Sequence, residues 1–446
     1  MFLLITLAAL VPALAHAETL SLEQARELAL ANSQSLKKHN LSVQSGVLDE
    51  KTQAYAGLPS LSLGASASAT LWTNNGVPEN LFKDTFGASA SAGVSQKLWD
   101  GGKNSILKSI GSLSTAVARQ NALAEYYTVL ESADAAYYAV LEAAAALEAA
   151  ESSLETAALS LSMAEIRRES GMLSDADYLQ ALAEKESRET ARSQARRDLA
   201  LGRLRLKNLT GLAETPELEP VDFAAMEPLI RTLAAMDDPG LDRLYGALKK
   251  QIEVRNPALA KAGLNSAIAE KNLSLAARDY SPTLSASLST GLNYSVSGGL
   301  EPSAGRLSLS GSIPLDFWVT AANVEKRKLA SEQAALDLRT AGESLDTEIQ
   351  TGLLNLVSQA GQVLSSGRAL DYAGKHFEYV LELYELSRNS LSELSDAEAL
   401  VRSNRNQLIR SQYAFLSGLS ALRTLGVFES EDEIAALVRA ALGEVE

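Results

Sequence analysis

Two hydrophobic periods run along this chain, one helical and one of two residues, and they come in the same order in each half. Over 20–57, Leu22, Ala25, Leu28 and Ala29 fall at helical spacing and Pro59 closes the segment. Over 241–280, Leu241, Leu244 and Leu248 are in phase and Pro282 closes it. Asn32 and Asn256 occupy matching places near the middle of these two segments. Strict alternation follows each of them. In 60–71 the apolar set is Leu61, Leu63, Ala65, Ala67, Ala69 and Leu71; in 86–98 it is Phe86, Ala88, Ala90, Ala92, Val94 and Leu98, broken at Gln96. In 283–296, Leu284, Ala286, Leu288, Leu292, Tyr294 and Val296 share a face, as do Leu307, Leu309, Ile313 and Leu315 in 306–315. Period two over ten or more residues predicts four strands, each with one apolar and one polar face.

Long helices come next in each half. Residues 103–170 contain no proline and one glycine, Gly111, and no proline occurs from Val319 onward. Tyr126/Tyr137, Tyr127/Tyr138, Val129/Val140 and Leu130/Leu141 recur eleven residues apart. An eleven-residue period keeps packed helices nearly straight or slightly right-handed, and a chance similarity in an ordinary amphipathic helix accounts for the spacing equally well. A helix over 103–170 is about 100 Å long and one over 174–209 about half that, at about 1.5 Å per residue. Adding the leading helix end to end restores the length, so each half can set one long helix beside two stacked shorter ones. A hollow helical barrel standing on a β-barrel follows. The organisation expected is a first repeat at 18–212, a proline-rich crossover at 213–240, a second repeat at 241–426 and an acidic C-terminal segment at 427–446. That last segment carries Ile434, Leu437, Val438 and Leu442 and is either packed on the helices or disordered.

Residues 1–17 are an apolar run with Pro12 and the small-x-small ending Ala15-His16-Ala17, the pattern of a secretory signal cleaved before Glu18. No Lys or Arg precedes the run, so an N-terminal anchor is the alternative. No later run of about 18 apolar residues follows, so a membrane span has to be built from strands. The predicted strands match the roughly 9–11 residues of a tilted span. Trp72, Trp99 and Trp318 stand at their ends with Phe82, Tyr280 and Phe317 nearby, where an interfacial aromatic girdle belongs. A soluble β-sandwich also alternates; the serine and glycine face, the tryptophans and the export segment favour a membrane barrel. The smallest membrane barrels need about eight strands. An open sheet edge in lipid is not viable, so the chain must complete its barrel with further copies, from two upward.

Composition narrows the function classes. Of 446 residues 46% are hydrophobic but only 5% aromatic, so alanine and leucine carry the apolar load, as in long helices with small side chains. A formal net charge of −15 argues against nucleic acid or anionic headgroups as general partners. The absence of cysteine excludes disulfides, thiolate metal sites, a cysteine nucleophile and lipid attachment to an N-terminal cysteine. His16, His39 and His376 are scattered, no nucleotide-binding glycine loop is present, and neither a cofactor nor an enzyme activity is expected. Transport through such a chain has to be energised by a partner.

This duplicated order resembles the TolC-like outer-membrane efflux proteins. The segments that carry the resemblance are LPSLSL (58–63) and SPTLSA (281–286), LWDGG (98–102) and PLDFW (314–318), and RRESGMLSDAD (167–177) against RNSLSELSDAE (388–398). Arg167 and Arg388 are 221 residues apart, and so are the two copies of LSDA at 173–176 and 394–397. The resemblance implies a mostly α protein with a membrane β part. It would be a homotrimer whose twelve-stranded β-barrel, four strands from each copy, continues into a long periplasmic α-helical barrel. It further implies the outer membrane of a Gram-negative-type cell, a periplasmic adaptor protein, and an inner-membrane transporter of the RND, ABC or MFS type. The function implied is the passive exit duct of a tripartite efflux or type I secretion system. A structural envelope-spanning stalk or adhesin is the competing class, disfavoured by barrel strands in both halves.

The resemblance also places the periplasmic tips near 171 and 392, where a tunnel narrows and an adaptor docks. The docking residues implied are Arg167, Gly171, Met172, Leu173, Arg388, Ser392 and Leu394. By register the family's constriction acids fall near Glu398 and Val401; Val401 departs from the pattern, leaving Glu398 with Asp396. A ring of such acids would favour cations. A second role competes for them, since Ser174 to Asp177 and Ser395 to Glu398 both fit a capping box. Arg167 and Arg388 bind a neighbouring carboxylate or complement a helix C-terminus. The second tip has Ser392 where the first has Gly171.

Overall fold

The computed structural model of the chain describes residues 19–69, 86–295, 298–386 and 388–441. The expected export segment, Leu71, Trp72, Phe82, Val296 and Leu442 lie outside these described residues. The element order is duplicated. The first repeat contains β1 (Thr19–Leu20), α1 (Leu22–Asn32), α2 (Gln34–Tyr55), β2 (Ser60–Ala69), β3 (Phe86–Trp99), α3 (Lys103–Glu169) and α4 (Asp175–Thr210). After β4 (Glu217–Leu218) and α5 (Phe223–Ala234) come α6 (Asp238–Arg255), α7 (Pro257–Ala277), β5 (Thr283–Ser295), β6 (Gly299–Ser312), α8 (Phe317–Glu385) and α9 (Leu391–Gly426), and α10 (Glu431–Ala441) follows.

Each leading segment, expected as one helix, is two. Ser33 (φ −58°, ψ 115°) and Asn256 (φ −65°, ψ 119°) leave the helical region for one residue. In the second half Pro257 dictates the break, because its ring disfavours the α region for the residue before it and it has no N–H to donate. In the first half the Ser33 hydroxyl accepts from the Leu36 N–H at 3.1 Å and so caps α2.

The chain divides into two compact units, one of Met1–Lys38, Leu123–Pro257 and Gly342–Glu446, the other of His39–Ala122 and Ala258–Ala341. The second unit carries a four-stranded antiparallel sheet in the order β2-β3-β5-β6, so the β3–β5 pairing joins the two repeats. Its register sorts the residues by polarity. One rung is Leu61, Val94, Leu288 and Leu307; the next is Ser62, Gly93, Ser289 and Arg306. Hydroxyls meet across the polar face, Ser60 with Ser95 at 2.7 Å, Ser66 with Ser89 at 2.8 Å and Ser285 with Ser310 at 2.9 Å. The apolar face is bare within one chain, with Leu61 74%, Leu63 80% and Leu307 78% exposed.

The last strand differs from expectation. β6 begins at Gly299, seven residues before the expected start at 306, and ends at Ser312, with Ile313 and Leu315 beyond it. Glu301, Pro302 and Gly305 hide it in the sequence by breaking the alternation. Pro302 lies close to a bulge, where a register shift opposite Ser289/Gly291 absorbs one extra residue of β6. At the other end of the sheet Trp99 closes β3, whereas Trp318 falls in the first turn of α8. Tyr280 stacks on Phe317 with ring centroids 6.4 Å apart. No helix among the described residues is long and apolar enough to cross a membrane.

The first unit is helical around a small parallel bridge, Thr19 with Glu217 and Leu20 with Leu218. The buried Tyr137 hydroxyl lies 2.9 Å from the Leu20 carbonyl and 2.8 Å from that of Glu219, tying the bridge to α3, and burial pushes its pKa up to about 12. Tyr137 and Tyr138 are core residues, whereas their counterparts eleven residues earlier, Tyr126 and Tyr127, are half-buried. Asp134 is completely buried and accepts from Arg26 Nε at 2.6 Å, Arg26 Nη2 at 2.9 Å, Arg423 Nη2 at 3.1 Å and the Ser420 hydroxyl. For the Arg26 guanidinium, burial opposes the charged form, but the Asp134 bonds outweigh it and raise its pKa. The 213–240 segment is more than a linker, since it contains α5, capped by Asp222, with Ile230 and Leu233 buried and Pro228 inside the helix. The described part of the C-terminal segment, 427–441, is folded as well. Phe428, Ile434 and Val438 are buried, and Glu433 pairs with Arg255 at 3.0 Å.

Candidate functional site

Both helical hairpins turn within the first unit. α3 ends in a Schellman turn, with the Met172 N–H on the Arg167 carbonyl (2.8 Å) and the Gly171 N–H on that of Arg168 (2.9 Å). Gly171 takes φ 71°, a conformation that costs a side chain but not glycine. The Ser174 hydroxyl then caps α4 by accepting from the Asp177 N–H at 3.1 Å.

The second turn repeats this geometry at a different register from the sequence motifs. The Arg388 N–H reaches the Leu383 carbonyl at 2.8 Å. Ser390 caps α9, accepting from the Glu393 N–H at 3.2 Å while the Glu393 carboxylate accepts from the Ser390 N–H at 2.8 Å. The caps Ser174 and Ser390 are 216 residues apart, as are the helix ends Gly211 and Val427, against 221 for the LSDA motifs. α8 therefore ends at Glu385 and α9 begins at Leu391, so Ser392, expected at the tip, is inside α9, and Ser395 and Glu398 do not cap it. The earlier box wins because it starts the helix in time to bury Leu391, Leu394 and Ala397 on one face.

Those three residues join Ala164, Ala181, Val380 and Tyr384 in an apolar cluster that draws in Leu173. Leu173 and Leu394, expected on a docking surface, pack inward instead. Arg167 lies over the Tyr384 ring at 4.0 Å and donates to the Tyr384 carbonyl at 2.5 Å, so it serves the C-terminal turn of α8 rather than a carboxylate. Arg168 pairs with Asp175 at 2.8 Å across its own hairpin. Of the residues expected at the tips, those left exposed are Gly171, Met172, Arg388, Ser392 and Asp396.

Glu398 has a different environment from Asp396. Its carboxylate accepts from Ser153 on α3, from Arg188 on α4 at 3.0 Å and from Arg402 at 3.3 Å. Arg188 also donates to Glu184 at 2.7 Å, and Glu184 accepts from Ser395. Two carboxylates and two guanidiniums thus join three helices as a charge-neutral group, with Arg188 and Glu398 only 11% and 12% exposed. The i,i+4 pairs Glu184–Arg188 and Glu398–Arg402 are legible in the sequence. The cross-helix contact between them is not, because it depends on how α4 and α9 face each other.

A family model described as outer membrane efflux protein matches residues 25–212 and 248–426. Among solved structures the chain is similar to CusC, whose study describes folding and transmembrane channel formation, at 17% identity, TM-score 0.77 and 91% coverage of both chains. It is similar to the outer membrane protein VceC of Vibrio cholerae at 16% identity and TM-score 0.73, covering 91% of this chain and 96% of that one. The CmeC outer membrane channel of Campylobacter jejuni matches at 15% identity and TM-score 0.74, with 94% and 89% covered. No curated protein matches the sequence.

Proposed function

The chain belongs to the outer membrane efflux protein family, and from that premise we propose that three copies form the exit duct of a tripartite efflux or type I secretion machine in an outer membrane. The observation that carries the reading is the sheet. β2 and β6 are free edges, one face is a bare row of leucines, and the other is serine and glycine. Such a sheet is stable in a bilayer only when further copies close it, with the leucines against lipid and the hydroxyls around water. β2, β3, β5 and β6, of 10, 14, 13 and 14 residues, are each long enough to cross.

Gly171, Met172, Arg388 and Ser392, exposed at the tips, belong to the surface offered to a periplasmic adaptor, and an energised inner-membrane transporter drives the flow. Asp396, exposed on α9, supplies the acid ring that gives the closed tip its cation preference; Glu398 is neutralised by its arginines and adds little. Single-channel recording of the detergent-purified protein in a planar bilayer tests the reading. Small discrete steps that prefer cations are expected, with the preference reduced in Asp396→Asn and nearly kept in Glu398→Gln. Insertion without conductance would favour a stalk, and failure to insert would end the barrel reading.

A further inference from the structure

The polar face of the sheet is almost uncharged, and its few charges are ordered along the strands. From β2 to β6 the successive polar rungs are Ser60, Ser95, Ser287 and Ser308; Ser62, Gly93, Ser289 and Arg306; Gly64, Ser91, Gly291 and Ser303; and Ser66, Ser89, Asn293 and Glu301. One rung before the first of these, Lys97 pairs with Ser285, which pairs with Ser310. Lys97 and Arg306 therefore occupy the part of this face nearest the strand starts at Ser60 and Thr283, and Glu301 the part nearest the β5–β6 turn. All three are exposed.

Their neighbours are small. Arg306 shares its rung with Gly93 and two serines, and Gly64 and Gly291 lie on the next rung, so no side chain beside it is long enough to cover the guanidinium. Gly291 has no alternative to being small, since a Cβ there would sit 2.4 Å from the Ala90 carbonyl oxygen. A guanidinium with no ion-pair partner among the described residues, in a water-filled lumen with low-dielectric walls, sets the local potential, and closure by three copies repeats it around the ring.

We propose that Lys97 and Arg306 make the inner part of the barrel lumen a cationic sleeve, which draws the anionic groups of a passing solute and repels cationic ones, with Glu301 reversing the sign toward the β5–β6 turn. This rests on the duct reading above, and it is independent of the acid at the tip. The sleeve would make organic anions the solutes favoured in the barrel.

The absence of native cysteine supplies the test. Ser289→Cys reports beside Arg306 and Asn293→Cys beside Glu301, four residues apart on β5. That is about 13 Å along a strand, more than the Debye length of about 8 Å at physiological salt. Each thiol is modified in the assembled protein by an anionic and by a cationic methanethiosulfonate of similar size, and the ratio of the two rates is measured. The ratio is expected to favour the anion at 289 by about fivefold over 293. It should fall toward the value at 293 on adding Arg306→Gln and be retained with Arg306→Lys; Lys97, four residues away beside Ser285, is read in the same way by Ser285→Cys with and without Lys97→Gln. Equal ratios at both positions, or a ratio at 289 untouched by Arg306→Gln in protein that still assembles, overturns the sleeve alone. No modification by either reagent at either position means that the polar face is not water-lined, and the duct reading falls with it.

Discussion

Asn32 and Asn256 hold the ends of the two equivalent helices. The Asn32 amide donates to the Asn208 and Leu209 carbonyls at 3.2 and 3.1 Å, at the end of α4, and the Asn256 amide donates to the Leu425 carbonyl at 3.1 Å, at the end of α9. These carbonyls have no partner within their own helices, so an amide from the start of each repeat supplies one. The first site depends on Gly211, where a Cβ would lie 2.9 Å from the Asn32 side chain. Asn256 is buried and Asn32 is half-buried. Asn256→Ala should therefore cost about 1–2 kcal/mol and Asn32→Ala about half that, because an orphaned buried carbonyl loses more than one that water can reach. Thermal melts followed at 222 nm would rank them, and equal shifts would contradict the burial argument.

Asp134 is the most consequential buried charge. Removing its charge leaves Arg26 half-compensated by Glu431 at 3.1 Å, and Arg423, 2% exposed, without its carboxylate. Asp134→Asn should destabilise the first unit by about 3–5 kcal/mol, as expected for breaking one side of a buried ion group. Urea titration by circular dichroism would measure it, and a loss under about 1 kcal/mol would mean that the pair contributes no more than a surface bridge.

Val427 is the one non-glycine residue with positive φ among the described residues, at 55°. A β-branched side chain is poorly suited to the left-handed region, where the first repeat uses Gly211. Val427→Gly should raise the melting temperature, with a gain of about 1 kcal/mol after some loss of packing. A lower melting temperature would show that the valine contacts outweigh the backbone strain.

Arg188 and Glu398 should be energetically coupled. A double-mutant cycle with Arg188→Ala and Glu398→Ala is expected to give an interaction energy of about 1–3 kcal/mol, since both side chains are nearly buried and share hydrogen bonds. Additive losses would reduce the group to two independent i,i+4 pairs.

Glu393 predicts a pH dependence confined to the second tip. The Ser390 backbone N–H and hydroxyl hold its carboxylate below the ordinary value of 4.5. A group whose pKa is lowered by folding stabilises the native state above its unfolded value, and that stability is lost as pH falls through the folded one. Amide exchange at the start of α9 should therefore speed up, relative to the rest of the helix, as pH falls below the ordinary value and through the lowered one. Glu393→Gln should remove this difference, and its persistence would assign the effect to another acid.

The repeat, the strand faces and the long helices were legible before any folding, because each rests on a local period or on the absence of proline. Leu61, Leu63 and their serine neighbours announce a two-faced strand whatever surrounds them, and residues 103–169 can be little but helix. The sequence also held the resemblance that led to the family. The tertiary structure decided what depends on competition or on distant partners. Ser390 and Ser395 both begin plausible caps, and only the burial of Leu391 and Leu394 against α3 and α8 selects the first, five residues from the motif repeat. Residues 299–305 carry no alternation, and became strand because β5 was there to pair with. Glu398 and Asp396 are alike as letters two positions apart. On a helix they face different ways, one toward Arg188 and the other toward solvent, and no local pattern records which.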